Sequence, residues 1–204
     1  MKRSLFLISG KPGSGKSTCC KEAVMQQSEW SMGLTVRHFA VGSHVRGILA
    51  GEIESKFHKR LNQHSRSITG MRMIDNGIIA AVVDEYLSYT EDKNLILMDG
   101  FPTQIAQLPL LPDILDNNNT SVIGAISVDV SDTVAASRQV TRRTGDRHPV
   151  HTRELAEARL RTYGDETEGT RQAMFSYWDG AAINGEMPLK DMVNEFIGKL
   201  AMRI

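Results

Sequence analysis

The chain has 204 residues, of which 41% are hydrophobic and 24% are charged, and its 24 lysines and arginines balance its 24 aspartates and glutamates. This composition is typical of one globular α/β or α+β domain, and it excludes disordered, collagen-like and membrane-spanning classes. Because the net charge is zero, no overall field attracts nucleic acid or an anionic membrane surface, and we expect neither as a partner.

Continuous apolar runs predict the strands of a parallel sheet, because such strands are buried on both faces. The runs cover residues 5–8, 95–98 and 122–128, and residues 34–39 form a weaker candidate strand. Apolar side chains recur every three or four positions in residues 74–87, which predicts a helix. Strands that alternate with helices predict an α/β fold with helices on both faces of the sheet and ligands at the carboxyl ends of the strands.

Residues 10–17 read GKPGSGKS and match the phosphate-binding pattern GxxxxGK[ST] in full. A predicted strand precedes them and a predicted helix follows, which disfavours a glycine-rich turn that matches by chance. Glycines let backbone N–H groups wrap around a phosphate chain at the positive end of the helix. The lysine then reaches the β- and γ-phosphates, and the serine hydroxyl ligates Mg²⁺. We therefore expect the nucleotide to be bound by Gly10, Pro12, Gly13, Ser14, Gly15, Lys16, Ser17 and Thr18.

Asp99 ends the run at residues 95–98 and is followed by Gly100, Phe101 and Pro102. An aspartate at a strand end is commonly a turn former. Here the P-loop is predicted at the same edge of the sheet. We therefore expect Asp99 and Ser17 to form the magnesium site, with the carboxylate holding a metal-bound water.

Eight arginines lie between positions 138 and 171, and residues 142–152 are rich in arginine and lack apolar anchors. Phosphoryl transfer needs positive charge around the moving group and a cover that excludes water, so this segment is a candidate flap. The alternative is a solvated basic face paired with nearby acidic side chains, and it accounts for Arg153, Arg161 and Arg171.

Four blocks of the chain, in the right order, resemble the adenylate kinase family of nucleoside monophosphate kinases. They are the P-loop GKPGSGKST, HFAVGSHVR at residues 38–46, DGFP at residues 99–102 with Gln107 after it, and RLRTY at residues 159–163. The resemblance implies transfer of the γ-phosphoryl group of ATP to a nucleoside monophosphate, with AMP favoured and Mg²⁺ as cofactor. We expect a monomer whose partners are ATP and the monophosphate.

The resemblance also implies the architecture. It predicts a P-loop three-layer fold, with a central parallel five-stranded sheet and helices on both faces, as a single domain over residues 1–204. A helical insertion at residues 42–74 would bind the monophosphate, and residues 142–152 would form a short lid. The two cysteines, at positions 19 and 20, are adjacent and offer no disulfide framework, so we expect a reducing, cytoplasmic compartment.

Individual roles follow from the same resemblance. Arg138 is expected to contact ATP, and Gln107 is expected to recognise the acceptor base. Either Arg142 or Arg143 is expected to face the phosphates. The expected acceptor-binding residues are Val41, Arg46, Met73, Gly100 and Gln107, and the expected catalytic residues are Lys16, Arg142, Arg147 and Arg159.

The chain departs from the family pattern on the acceptor side. Thr103 stands where an arginine usually grips the acceptor phosphate, and Val41, Ser43 and Asp75 replace the usual threonine, aspartate and proline. Two alternatives to AMP phosphorylation therefore stay open. One is a kinase for UMP, CMP or another small phosphorylated acceptor, and the other is an ATP-binding regulatory module with weakened transfer.

The predicted flap contains no cysteine, which excludes the zinc-bearing lid of some relatives. His148 and His151 are three residues apart, but no third ligand accompanies them, so we expect no metal there. We interpret His38 in the same way, as an ordinary exposed side chain.

Overall fold

The computed structural model describes residues 2–64, 66–68, 71–91, 94–141 and 152–204, with the backbone alone for residues 66–68, 71–73, 165 and 166. The strands are β1 Arg3–Ser9, β2 Thr35–Ala40, β3 Arg66–Ile68, β4 Met71–Met73, β5 Asn94–Asp99, β6 Thr120–Asp129 and β7 Gly180–Asn184. Five of them form an all-parallel sheet in the order β2–β5–β1–β6–β7, while β3 and β4 pair as a separate antiparallel hairpin.

Helices cover both faces of the five-stranded sheet. They are α1 Lys16–Met25, α2 Gln27–Trp30, α3 Val41–Ala50, α4 His58–His64, α5 Asn76–Ser88, a 3₁₀ helix Ile105–Leu110, α6 Leu111–Asn117, α7 Asp132–Val140, α8 Arg153–Tyr177 and α9 Leu189–Ala201. Successive side chains of a strand point to opposite faces. Accordingly Leu5 and Leu7 pack with α3, α5 and α6, while Phe6 and Ile8 pack with α1 and α9. The predicted three-layer α/β fold with a five-stranded parallel sheet is confirmed.

The strand register brings three carboxyl ends together. Asp99, the last residue of β5, pairs with Ile8 of β1 on one side and with Ala40 of β2 on the other. The loop after β1, the start of α3 after β2 and the segment after β5 therefore leave the sheet side by side. This is the edge at which parallel α/β sheets bind ligands.

The segment between β2 and β5 contains α3, α4, the β3–β4 hairpin and α5, so the insertion expected to be helical also includes two short strands. Within it, the stretch between α3 and α4 is tied to α5 through Glu85, which is only 6% exposed. The Glu85 carboxylate accepts hydrogen bonds from the Ser55 hydroxyl and from the backbone N–H of Lys56, the latter at 3.2 Å. A buried carboxylate with two donors holds this stretch against α5.

The edge strand β7 was not predicted from an apolar run. Its sequence, GAAIN, has one strongly buried side chain, Ile183 at 1% exposure. The strand forms by pairing with β6, in which Ser127 lies opposite Ala182. Within the described ranges, none of the helices combines the length and the apolar character that crossing a membrane requires.

Candidate active site

The loop between β1 and α1 contains three glycines with positive φ: 144° at Gly10, 90° at Gly13 and 99° at Gly15. Residues that carry a Cβ atom rarely adopt such φ values, so this conformation of the loop requires glycine. Packing adds a second requirement at Gly13, because a Cβ atom there would collide with the backbone carbonyl oxygen of Ala135 in α7. The chain closes a tight turn through the Ser14 N–H, which donates to the Lys11 carbonyl at 3.0 Å. The predicted P-loop thus has the conformation that cradles phosphates.

Lys16 and Ser17, the first two residues of α1, converge on Asp99. The Ser17 hydroxyl donates to Asp99 Oδ2 at 2.5 Å, and Lys16 Nζ lies 4.0 Å from Asp99 Oδ1. Lys16 Nζ also donates to the Lys11 carbonyl oxygen at 3.5 Å. The lysine therefore lies between the loop and the carboxylate, where its charge can reach a terminal phosphate.

Asp99 is 4% exposed, and it is ionised at neutral pH. Burial alone would raise the pKa of its carboxyl. The Lys16 ammonium and the hydrogen bonds from His38 and Ser17 outweigh burial, so the pKa falls from its usual 3.8 to about 2.

His38, near the end of β2, corrects the sequence interpretation. Its side chain is 11% exposed, and its Nε2 lies 3.4 Å from Asp99 Oδ2. Because an ionised carboxylate only accepts hydrogen bonds, Nε2 is the donor. The histidine belongs to the Asp99 environment because β2 pairs directly with β5, a long-range relation that local sequence does not reveal.

Ser17 and Asp99 fit the role of magnesium ligands. Mg²⁺ prefers hard oxygen donors and is usually held by one or two protein oxygens together with phosphates and waters. A serine hydroxyl and an ionised carboxylate stand side by side at the mouth of the P-loop. The donor set therefore suits Mg²⁺ bound with a nucleotide.

Side chains of helix α7 hold the P-loop through hydrogen bonds and an ion pair. Gln139 Nε2 donates to the Pro12 carbonyl at 3.1 Å, and Lys11 Nζ pairs with Asp132 at 2.5 Å. Arg138, the expected ATP contact, donates to the carbonyl oxygens of Gly185 at 2.8 Å and Ser14 at 3.4 Å. In this structure Arg138 thus joins the loop to the segment after β7, at the rim of the nucleotide cradle.

Helix α8 approaches the P-loop through Tyr163, a contact that sequence reasoning missed. The Tyr163 hydroxyl lies 3.5 Å from Ser9 Oγ, at the last residue of β1, and burial raises the pKa of this phenol. Arg159, an expected catalytic residue, precedes Tyr163 by one helical turn and is half-buried. Residues four apart share a helix face, so Arg159 lies on the face of α8 that carries Tyr163.

On the acceptor side, Val41 is buried at 2% exposure where α3 begins. The Arg46 guanidinium, one turn into α3, donates to Ser43 Oγ at 2.9 Å. Gly100 has a φ of 90° directly after Asp99. The expected acceptor residues of the two strand ends are therefore brought to one edge of the sheet.

Gln107 is 4% exposed, and both ends of its amide are engaged within the protein. Its Oε1 accepts from the Thr103 backbone N–H at 2.7 Å, and its Nε2 donates to Asn76 Oδ1 at 2.8 Å. The sequence does not suggest the Asn76 contact, because 31 residues separate the partners.

Several sequence predictions lie outside the described residues. Arg142, Arg143 and Arg147 of the expected lid, and the pair His148 and His151, are among them, and the side chain of Met73 is not described. The roles assigned to these residues remain predictions.

Comparison with known proteins agrees with this geometry. A family model described as AAA domain matches residues 9–156, which is more than half of the chain. The chain is also similar to proteins named adenylate kinase along nearly its whole length. Identity is 26% to the protein of Campylobacter curvus (94% of each chain), 28% to that of Nautilia profundicola (95% of this chain, 94% of the relative) and 27% to that of Helicobacter pylori (95% and 94%). The resemblance inferred from the four motif blocks is confirmed.

Proposed function

The chain belongs to the AAA domain family, and from that premise we propose that it is a nucleoside monophosphate kinase that transfers the γ-phosphoryl group of ATP to a monophosphate, with AMP as the first candidate. The observation that carries the proposal is the convergence of Lys16 and Ser17 on Asp99 at the carboxyl edge of the sheet. The near full-length similarity to proteins named adenylate kinase supports the reaction class.

The nucleotide half of the proposed site is the P-loop. Its backbone binds the triphosphate, and Lys16 contributes a cation at the β- and γ-phosphates. When bound, Mg²⁺ adds positive charge beside the transferring group, and Ser17 and Asp99 are the residues that would hold it. Arg138 secures the cradle from the side of α7 through two backbone carbonyls.

The acceptor half lies at the ends of β2 and β5. Arg46 binds the acceptor phosphate, with Val41 and Gly100 forming part of the surface beneath the nucleotide. Arg159 neutralises charge that develops on the phosphoryl oxygens, and Arg142 and Arg147 close over them from the lid. No general base is needed, because a monophosphate oxygen is already an anionic nucleophile, so positioning and charge neutralisation supply the rate.

One departure from the family pattern on the acceptor side favours a second function. Thr103 replaces the arginine that would grip the acceptor phosphate, which agrees with an ATP-binding regulatory module that has weakened transfer. Conversely, the retained Lys16, Ser17 and Asp99 arrangement favours the kinase.

The cysteines Cys19 and Cys20 are free and buried, which agrees with a location in the reducing cytoplasm.

A coupled assay of ADP formation separates these functions. Purified protein is given MgATP and, one at a time, AMP, CMP, UMP, GMP, IMP and dCMP. ADP formed in proportion to one monophosphate supports the kinase and identifies its acceptor. Tight ATP binding without acceptor-dependent turnover would instead support the regulatory module.

A further inference from the structure

Two amide side chains on the acceptor side, Gln107 and Asn76, have a fixed polarity. The backbone N–H of Thr103 can only donate, so the Gln107 atom 2.7 Å from it is the oxygen Oε1. The other end of that amide, Nε2, must then donate, so the Asn76 atom 2.8 Å away is the oxygen Oδ1. The remaining end of the Asn76 side chain is therefore its NH₂ group. This assignment follows from one backbone donor rather than from the appearance of either amide.

The pair lies at the edge of the sheet where the reaction would take place. Helix α5 leads into the parallel strand β5, and a crossover helix that feeds a parallel strand begins at the carboxyl edge of the sheet. Asn76 is the first residue of α5. Thr103 follows Asp99 by four residues, so the chain of hydrogen bonds starts close to the proposed magnesium site.

The two amides differ in what they can offer to a ligand. Gln107 is buried and has one donor committed to Asn76 and its oxygen committed to Thr103. Asn76 is half-buried, and its Nδ2 donates to no partner among the residues that the structure describes. Because Asn76 is the more exposed of the two side chains, its Nδ2 is the donor that is more accessible to an acceptor base at this edge.

We propose that Asn76 determines which acceptor base is used, by donating from Nδ2 to an unprotonated ring nitrogen such as N1 of adenine or N3 of cytosine. This inference rests on the proposed kinase function and names its substrate class. Hypoxanthine, guanine and uracil present a ring N–H at the equivalent position. Two donors would then face each other, and a polar group left unpaired in this way makes a site reject the wrong analogue.

Asn76→Asp tests the polarity directly. The substituted side chain keeps an oxygen for Gln107 Nε2 but replaces the donating NH₂ with an accepting oxygen. In the parent we expect AMP or CMP to have a higher kcat/KM than IMP, GMP and UMP. In Asn76→Asp we expect the ratio of kcat/KM for IMP to that for AMP to rise by at least about tenfold, with the KM for ATP within about twofold of the parent value.

Two further variants complete the experiment. Asn76→Ala removes the donor without supplying an acceptor, so it should lower kcat/KM for AMP and leave that for IMP nearly unchanged. Asn194→Asp makes the same chemical change at an exposed position of α9, whose buried side faces the opposite side of the sheet. It should alter neither ratio.

The outcomes separate this inference from the proposed function. A parent that prefers IMP, GMP or UMP overturns the role of Asn76 and leaves the kinase in place. A ratio within twofold of the parent in Asn76→Asp, with an unchanged circular dichroism spectrum, overturns it as well. A parent that transfers phosphate to no monophosphate overturns the proposed function, and the inference falls with it.

Discussion

Replacement of Asp99 by asparagine isolates the charge of the carboxylate at the centre of the site. Asparagine has nearly the same shape, and its side-chain oxygen can still accept from the Ser17 hydroxyl, which lies 2.5 Å from the carboxylate in the parent. It cannot attract the Lys16 ammonium, whose Nζ is 4.0 Å away. The variant therefore resembles the parent with Asp99 protonated.

The expected magnitude follows from the pKa of Asp99, which falls from 3.8 to about 2 on folding. A lowered pKa means that the ionised form stabilises the fold, here by about 2 kcal/mol. This contribution is fully present above the unfolded-state pKa of 3.8 and disappears as the pH falls through the folded-state pKa of about 2. Asp99→Asn should thus lower the free energy of unfolding by about 2 kcal/mol at pH 7.

Urea denaturation of parent and variant measures this difference at pH 7, 5, 4 and 3. The difference in free energy of unfolding between parent and variant should be constant from pH 7 to pH 5 and should decrease toward pH 3. Asp116→Asn, at an exposed position of α6, is the control, and it should change stability by no more than about 0.5 kcal/mol. A gap of the same size at pH 3 as at pH 7, or no gap at pH 7, would refute the reasoning.

Three further substitutions probe the rest of the site, and Gly33→Ala serves as the control for one of them. Gly13→Ala and Gly33→Ala both place alanine at positive φ, 90° and 85°, but only Gly13 faces the Ala135 carbonyl. Urea denaturation should show a loss of about 1–2 kcal/mol for Gly33→Ala and a further loss of about 1–3 kcal/mol for Gly13→Ala; equal losses would contradict the packing. Lys16→Ala should reduce phosphoryl transfer by at least about a hundredfold with an unchanged circular dichroism spectrum, and an unchanged rate would remove Lys16 from the mechanism. Arg46→Ala should raise the acceptor KM by about 10- to 100-fold in steady-state assays, whereas a change confined to ATP affinity would place the acceptor pocket elsewhere.

Features with a local cause could be predicted from the sequence. The P-loop follows from glycines that the backbone path requires, and Gly10, Gly13 and Gly15 all have positive φ. The buried strands around it follow from uninterrupted apolar runs, and the run at residues 95–98 lies within β5, which is buried along its whole length.

Features with a long-range cause could not be predicted from the sequence. The strand β7 lacks an apolar run and forms by pairing with β6. The contact of His38 with Asp99 depends on the register of β2 against β5, in which Ala40 lies opposite Asp99. The internal engagement of Gln107 depends on where α5 begins relative to the segment after β5. In each case the partner is set by tertiary packing rather than by neighbours in the chain.

The acceptor side combines both kinds of feature. The DGFP block at residues 99–102 marks the end of β5 by its own sequence, and Thr103 marks a departure from the family pattern. Only the structure shows that the Thr103 backbone N–H donates to Gln107 and that Gln107 donates to Asn76. The reaction class can therefore be predicted from sequence motifs, whereas the choice of acceptor base depends on side-chain geometry.

The central claim is that the P-loop holds a triphosphate whose terminal group passes to a monophosphate rather than to water. Phosphorus NMR of the protein with MgATP and AMP follows every phosphate at once. If this claim holds, the ATP γ-phosphate and AMP resonances decrease together toward equilibrium, and two molecules of ADP form per ATP consumed without release of inorganic phosphate. Accumulation of inorganic phosphate at an unchanged level of AMP, or no conversion of ATP in the presence of any monophosphate, would contradict it.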